Sequence, residues 1–225
     1  MTSKIVSNEE FVRAYQRKYG LTEDGWAGAA TFGHLNPLGS SDITERVAME
    51  LIQHEAIVQE AYKDSQGIWT WGVGVTSASG HSVERYKDNP QPLAKCLAVY
   101  VWLLREKYAP AVRQAFSGRE LTEAQFAAAL SFHYNTGAIE RASWVKTWLT
   151  GGLAKAKEQF LEWRRPPAIM GRRRAEADLF FHGKWSSGGL AAVYPVLKPS
   201  YQPNFGAGKM VDIRDALKEA MTPPV

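Results

Sequence analysis

One cysteine, Cys96, is all that 225 residues contain. This excludes an internal disulfide and any multi-cysteine metal site. Cys96 lies in the apolar run "LAKCLAVYVW", which reads as a small buried hydrophobe rather than a nucleophile. Long apolar runs are missing too. No stretch approaches the roughly 18 residues of a membrane span, so stable membrane insertion is not expected. The N-terminus, "MTSKIVSNEEFVRAYQ", has no apolar core, and the expectation is a chain without a secretory signal, made in a reducing cytoplasm. The five histidines are scattered at 34, 54, 81, 133 and 182, and none forms an HExxH pair. The sequence therefore calls for no metal and no cofactor. What it has instead is a modest positive balance, +4 with a pI near 9.1. That favours polyanionic partners without choosing among nucleic acid, membrane surface and anionic cell wall.

Turn-rich points divide the chain into residues 1–40, 41–187 and 188–225. The first segment closes in "HLNPLGSS", whose Asn, Pro, Gly and Ser read as a linker. The middle segment carries most of the helical periodicity. Its first helix, with Ser41 or Asp42 as N-cap, shows an apolar stripe of Ile43, Val47, Ala48, Leu51 and Ile52. A hairpin is predicted in "DSQGIWTWGVGVT". A long helical stretch from about Gln91 to Phe116 should kink near Pro110. In "LTEAQFAAALSFHYN" a cap pattern joins Thr122 and Gln125, and Phe126, Leu130 and Tyr134 form the apolar side. Two more helices follow, around "LAKAKEQFLEWRR" and "GRRRAEADLFF". The last segment reads as irregular, closing in a short helix with Met210, Ile213, Leu217 and Met221 on one face. The fold class is α+β, mostly helical.

Glu55 falls on the stripe that should face the core. A buried carboxylate is costly unless paired or protonated. One reading is structural, a carboxylate held by an arginine elsewhere. The other is a general acid whose pKa is tuned by burial. In "GIWTWGVGV" the alternation of a strand puts Trp69, Trp71, Val73 and Val75 on a bulky face. Ile68, Thr70, Gly72 and Gly74 share the other face, which becomes bare beyond Thr70. Glycines there mark either a bulge or the close approach of a ligand. An acid on a helix face, a second acid (Asp64) in a polar loop and the Thr70 hydroxyl make a coherent set. It fits glycosidic hydrolysis, which needs one protonated and one ionised carboxyl group.

The spacing of Glu55, Asp64 and Thr70, within "E…AYKDSQGIWTWGVG", resembles the catalytic signature of the phage-type lysozymes, glycoside hydrolase family 24. "LTEAQFAAALSFHYNTG" and "GRRRAEADLFFHGKW" resemble that family's central helix and closing segment, so the likeness covers about residues 41–187. It implies a two-lobed fold: a β-hairpin lobe, a long connecting helix and a helical lobe. It implies Glu55 as general acid, with Asp64 and Thr70 holding and activating the attacking water. Gly72, Gly74 and Asn135 would line the cleft, although Asn135 is read equally well as a helix terminator before Gly137. Arg172 matches the arginine that pairs with the acid. Members often carry His directly after the Gly-x-Gly, where this chain has Val75, a departure that touches local contacts rather than activity. The implied reaction is hydrolysis of the β-1,4 bond of peptidoglycan with inversion. The implied protein is a monomeric endolysin that waits in the host cytoplasm and then reaches the periplasm and wall.

"VRAYQRKYGLTEDGWAGAATFGHL" resembles the second half of a peptidoglycan-binding module and nominates Tyr15, Gln16, Asp24 and Trp26 as wall contacts. A small helical extension of the enzyme is the alternative. "WRRPPAIMGRRR" places five arginines together, either as a solvated basic face or as an attraction for anionic wall polymers. Nucleic acid is not an expected partner, since no recognised module surrounds them. The competing functions are a lytic transglycosylase, which needs only a lone acid, and an inactive wall-binding phage protein on the same fold. The complete set of Glu55, Asp64 and Thr70 argues against both.

Overall fold

The computed structural model describes residues 8–18, 22–26, 43–116 and 119–222. Helices dominate and the sheet is small, in agreement with the α+β reading. Helix α1 (Asn8–Lys18) leads to a turn at 22–26. There Trp26 packs edge-on against His81, with the Lys95 ammonium 4.8 Å from its ring centre.

Helix α2 (Glu45–Ile52) is capped by Thr44, whose hydroxyl accepts from the Val47 amide at 3.1 Å. The expected caps, Ser41 and Asp42, lie outside the described residues. The stripe Val47, Ala48, Leu51 and Ile52 is fully buried, as its spacing predicts. The helix stops at Ile52, however. The amides of His54 and Glu55 donate to the carbonyls of Leu51 and Ile52 at 3.2 and 2.9 Å. These are three-residue steps, a tightened last turn. Glu55 therefore sits on the turn beyond the helix, not on its face.

Strand β1 (Ala56–Lys63) begins at once, so the hairpin starts upstream of its expected first residue. It pairs with β2 (Trp69–Gly72), which pairs with β3 (Val75–Thr76). Val58 faces Gly72 and Tyr62 faces Thr70, so four steps along β1 oppose two along β2. Such a bulge bends its strand. Glu55 stands just before this bent strand and Asp64 just after it.

Helix α3 (Leu93–Leu103) passes through a π-helical turn, Leu104–Tyr108, into α4 (Ala109–Ala115). The irregularity expected near Pro110 thus lies one turn earlier. Pro110 sits in the first turn of α4, where its missing N–H is harmless. Its ring crowds the carbonyl four residues back and widens the preceding turn. Helix α5 (Glu123–Thr136) has the expected capping box of Thr122 and Gln125. It is buried on almost every side, including Phe126, Leu130 and Phe132, and forms the centre of the helical lobe. Helices α6 (Ser143–Leu149), α7 (Leu153–Leu161) and α8 (Met170–His182) surround it. Trp144, Phe132, Phe160 and Phe180 meet there mainly in edge-to-face and tilted pairs. Cys96 is fully buried on α3, and burial pushes its thiol up to about 12, which fits an inert hydrophobe.

The last segment differs from its expectation. Strand β4 (Leu190–Val193) runs parallel to β1, and β7 (Lys209–Asp212) pairs antiparallel with β4. The sheet order is β3-β2-β1-β4-β7. A separate pair, β5 (Val196–Leu197) and β6 (Gln202–Pro203), lies between them in sequence. Residues 188–222 therefore complete the sheet that carries the hairpin and are no detached appendage. Helix α9 (Arg214–Met221) packs on α2 and α3, and buries Leu217 beside Ile213. Met210, expected on that apolar face, stands on β7 and is 63% exposed.

Candidate active site

Glu55 lies where α2 hands the chain to β1, and its side chain is 21% exposed. Nη1 of Arg172, on the first turn of α8, donates to its Oε1 at 2.5 Å. The same guanidinium donates from Nε to Glu176 at 2.8 Å and from Nη2 to the Ser131 carbonyl at 3.1 Å. Arg173 adds its own ion pair to Glu176 and donates to the Asn135 carboxamide at 2.6 Å and to the Trp163 carbonyl at 2.9 Å. Two arginines and two glutamates thus neutralise one another at the junction of α2, α5 and α8. Oε2 of Glu55 accepts no hydrogen bond among the described residues. Burial raises the Glu55 pKa above its ordinary value and outweighs the opposing pull of Arg172. The combination leaves a carboxyl that is anchored through one oxygen and biased toward its protonated form.

Asp64 closes β1 and opens the loop to β2. Its Oδ1 accepts the amides of Gln66 and Ile68 at 2.8 and 2.9 Å, the Asx-type turn that fixes the loop. Oδ2 has no partner among the described residues. Thr70 is buried, and its hydroxyl donates to the Ile68 carbonyl at 3.1 Å. Its lone pairs stay open as acceptors. Tyr62 lies across the ladder from Thr70. Its phenol is pushed up to about 12 by burial, then by the charges of Asp64 and Glu55. Burial and the Glu55 charge also raise Tyr100, Tyr108 and Tyr134. Tyr134 reaches from α5 to hydrogen-bond the Val73 carbonyl in the β2–β3 turn and so links the helical lobe to the hairpin.

The structure brings Glu55 and Arg172 into contact and sets Asp64 and Thr70 at the loop that joins β1 to β2. It changes the reading of the glycines. Gly72 and Gly74 have φ of +62° and +68°, so both belong to a tight turn rather than to a flat strand face. Gly72 is buried, and a Cβ there would lie 3.8 Å from that of Cys96, in the core and not over the cleft. Gly74 is exposed, and a Cβ would meet the Tyr134 hydroxyl at 3.7 Å. Gly72→Val should therefore cost stability before activity, about 1–3 kcal/mol for a branched residue in left-handed backbone. A melting curve equal to wild type would disprove this.

Asn135 lines a cavity of about 520 Å³ with Thr136, Trp163, Arg165 and Pro166, and among the described residues it is linked to Glu55 through Arg173, Glu176 and Arg172. The N-terminal candidates serve the segment itself. Gln16 is 2% exposed and binds the Asp24 carboxylate, the Trp26 carbonyl and the Gly25 amide at 2.7, 2.9 and 2.9 Å. Asp24 also accepts the Trp26 amide at 2.8 Å, while Tyr15 is half-buried. Three of the four side chains are thus occupied in holding the 22–26 turn onto α1 and, through Trp26, onto the rest of the protein. Of the five clustered arginines, Arg172 and Arg173 are buried in the ion network, so the cluster is not one solvated face. Sequence reading passed over Tyr62, Ser131, Arg173 and Glu176. The available signals were the i,i+3 and i,i+4 spacing of Glu176 from the two arginines and one hydroxyl in the apolar run around Ser131.

Comparisons with known proteins fit this arrangement. The chain matches the phage lysozyme family over residues 52–176. Among solved structures, an endolysin from Escherichia coli O157:H7 phage FAHEc1 is 23% identical with a TM-score of 0.54, covering 66% of this chain and 96% of its own. A lysozyme of phage P22, solved as a point mutant, is 26% identical with a TM-score of 0.51, covering 61% and 97%. The active form of the P1 phage endolysin Lyz is 18% identical with a TM-score of 0.53, covering 69% and 93%. No curated protein matches the chain.

Proposed function

We infer that this chain, which belongs to the phage lysozyme family, cuts the β-1,4 bond between N-acetylmuramic acid and N-acetylglucosamine with inversion, as an endolysin. Membership makes it a glycoside hydrolase of the muramidase kind, with peptidoglycan as its substrate. The observation that carries the finer reading is the contrast between the two acids. Glu55 is largely buried, raised in pKa and held by Arg172 through a single oxygen. Asp64 stands in a loop with one oxygen fixed by backbone amides. Glu55 gives its proton to the glycosidic oxygen. Oδ2 of Asp64 takes a proton from a water on the opposite face of the sugar. The Thr70 hydroxyl, its own hydrogen committed to Ile68, accepts the second hydrogen of that water. Arg172 keeps the spent carboxylate in place until it is reprotonated. Single displacement of this kind needs room for a water between the acids, about 6.5–9.5 Å. We place its action at host lysis, with the enzyme crossing to the wall through a membrane lesion. No helix among the described residues is long and apolar enough to cross a membrane itself.

Mass spectrometry of digested peptidoglycan should find reducing N-acetylmuramic acid ends, and proton NMR of fresh digests should show the α-anomer first. Anhydro ends would mean transglycosylation, and a β-anomer would mean retention; either overturns the reading. Asp64→Asn should lower turnover by about 10²-fold or more. The amide oxygen can still accept the Gln66 and Ile68 N–H groups, so melting should change little. Retained turnover would remove Asp64 from the mechanism.

A further inference from the structure

The family match ends at residue 176, and strands β4 to β7 lie beyond it. They do not dangle. The parallel ladder of β1 with β4 covers only Ala56 and Ile57. Past it the chain continues beside β1 as the β5–β6 hairpin. At one end the Tyr194 amide donates to the Ile57 carbonyl at 2.9 Å, two residues after Glu55. At the other end the Lys63 amide donates to the Tyr201 carbonyl at 2.7 Å, one residue before Asp64. Residues 194–201 therefore run along the bulged part of β1 and touch it within two residues of each acid.

The Tyr201 contact is reinforced from several sides. Its ring meets Trp69, the cross-ladder partner of Lys63, edge-on with centres 5.2 Å apart. The loop holding Asp64 is thus gripped at both of its roots. The Tyr201 hydroxyl donates to the Asp88 carboxylate at 2.8 Å. Lys198 forms ion pairs with both Asp88 and Glu60. Lys198 and Lys87 stand 4.0 and 4.9 Å from the Tyr201 ring centre. Tyr201 and Asp88 are also the two non-glycine residues with left-handed backbone among the described residues, φ +58° and +53°. Each such residue costs of order 1–3 kcal/mol and persists only where its surroundings over-determine it. Both members of one hydrogen bond carry that cost.

We propose that Tyr201, clasped by Asp88, is a positioning residue that fixes the Asp64 loop relative to Glu55. It reaches no substrate itself. Its carbonyl and ring hold Lys63 and Trp69, and through them the turn in which Asp64 Oδ1 receives Gln66 and Ile68. The proposal rests on the reading of Asp64 as the group that orients the water.

The test is Tyr201→Gly, which keeps the carbonyl and relieves the left-handed backbone while removing ring and hydroxyl. A misplacement of about 1 Å can cost up to 10²-fold in rate. The expected result is a kcat lower by about 10-fold with KM within twofold, and faster hydrogen exchange at the Lys63, Gln66 and Ile68 amides. Tyr201→Phe keeps the ring but loses the Asp88 hydrogen bond, so its kcat should fall between wild type and Tyr201→Gly. Asp88→Asn tolerates the left-handed backbone and keeps an acceptor oxygen, so it should lie closer to wild type than Tyr201→Phe; Tyr201→Phe carries the test if Tyr201→Gly fails to fold. Unchanged exchange at those three amides overturns the proposal, as does a raised KM at constant kcat, which would make Tyr201 a substrate contact. Failure of the underlying reading looks different: Asp64→Asn would stay active while the exchange response to Tyr201→Gly persisted.

Discussion

Glu55→Gln should lose about 10²–10⁴-fold in turnover while gaining stability at neutral pH. The first part follows from removing a general acid. The second follows from linkage. Burial raises the Glu55 pKa in the folded protein above its ordinary 4.5, despite Arg172. A group whose folded pKa is raised contributes its full stability below the unfolded value. That stability is lost as pH rises through the folded value. Near pH 3, well below the unfolded value, wild type carries the proton in both states, and the glutamine variant should melt at the same temperature. Near pH 7 the unfolded wild type gains by ionising Glu55 while the fold disfavours that charge, so the variant should melt higher. Thermal melts of both proteins at the two pH values check this. A variant that melts lower at pH 7 would mean that the Arg172 pair outweighs burial. Near-normal turnover would remove Glu55 as the acid.

The same residue shows where the sequence is legible and where it stops. Val47, Ala48, Leu51 and Ile52 have helical spacing and are all buried, so the inward direction of Glu55 could be read. Its place on a turn could not. No glycine or proline stands between Ile52 and Ala56, and the helix ends because β1 is claimed by pairing with β4, more than 130 residues later. Non-local pairing of that kind leaves no local trace. For the same reason Leu190–Val193 and Lys209–Asp212 read as irregular: strands of four residues beside glycines carry too little pattern to count. The cap at Thr122 and Gln125 is local and was fully readable. Alternation puts the two glycines on one strand face only if the strand continues, whereas positive φ at both positions turns it. The arginines at 172 and 173 look like their exposed neighbours in sequence. Only the fold separates them, by placing Glu176, Ser131 and Asn135 around them.

Glu176→Ala should be the most destabilising of these substitutions. Glu176 is 2% exposed and takes the Arg172 Nε, the Arg173 Nη1 and the Ser131 hydroxyl. Without it two buried guanidinium groups face one carboxylate, Glu55, and Arg173 keeps only neutral acceptors. Breaking a buried pair by removing one partner costs about 3–5 kcal/mol, because the remaining charge is stranded. For a chain of this size that corresponds to a fall in melting temperature of roughly 10 °C. Activity should change in a second, separate way. The Glu176 charge helps to raise the Glu55 pKa, and Arg172 opposes it. With Glu176 gone, Arg172 has Glu55 as its one acidic partner, and the Glu55 pKa should fall. The alkaline limb of the pH–rate profile, which reports loss of the acid's proton, should then move to lower pH. Glu176→Gln keeps the shape and the Ser131 contact, so it should show the same pH shift with a smaller loss of stability. A Glu176→Ala protein that melts within 2 °C of wild type would show that the network bears little of the fold. An unmoved alkaline limb would show that Glu176 does not set the acid's proton affinity.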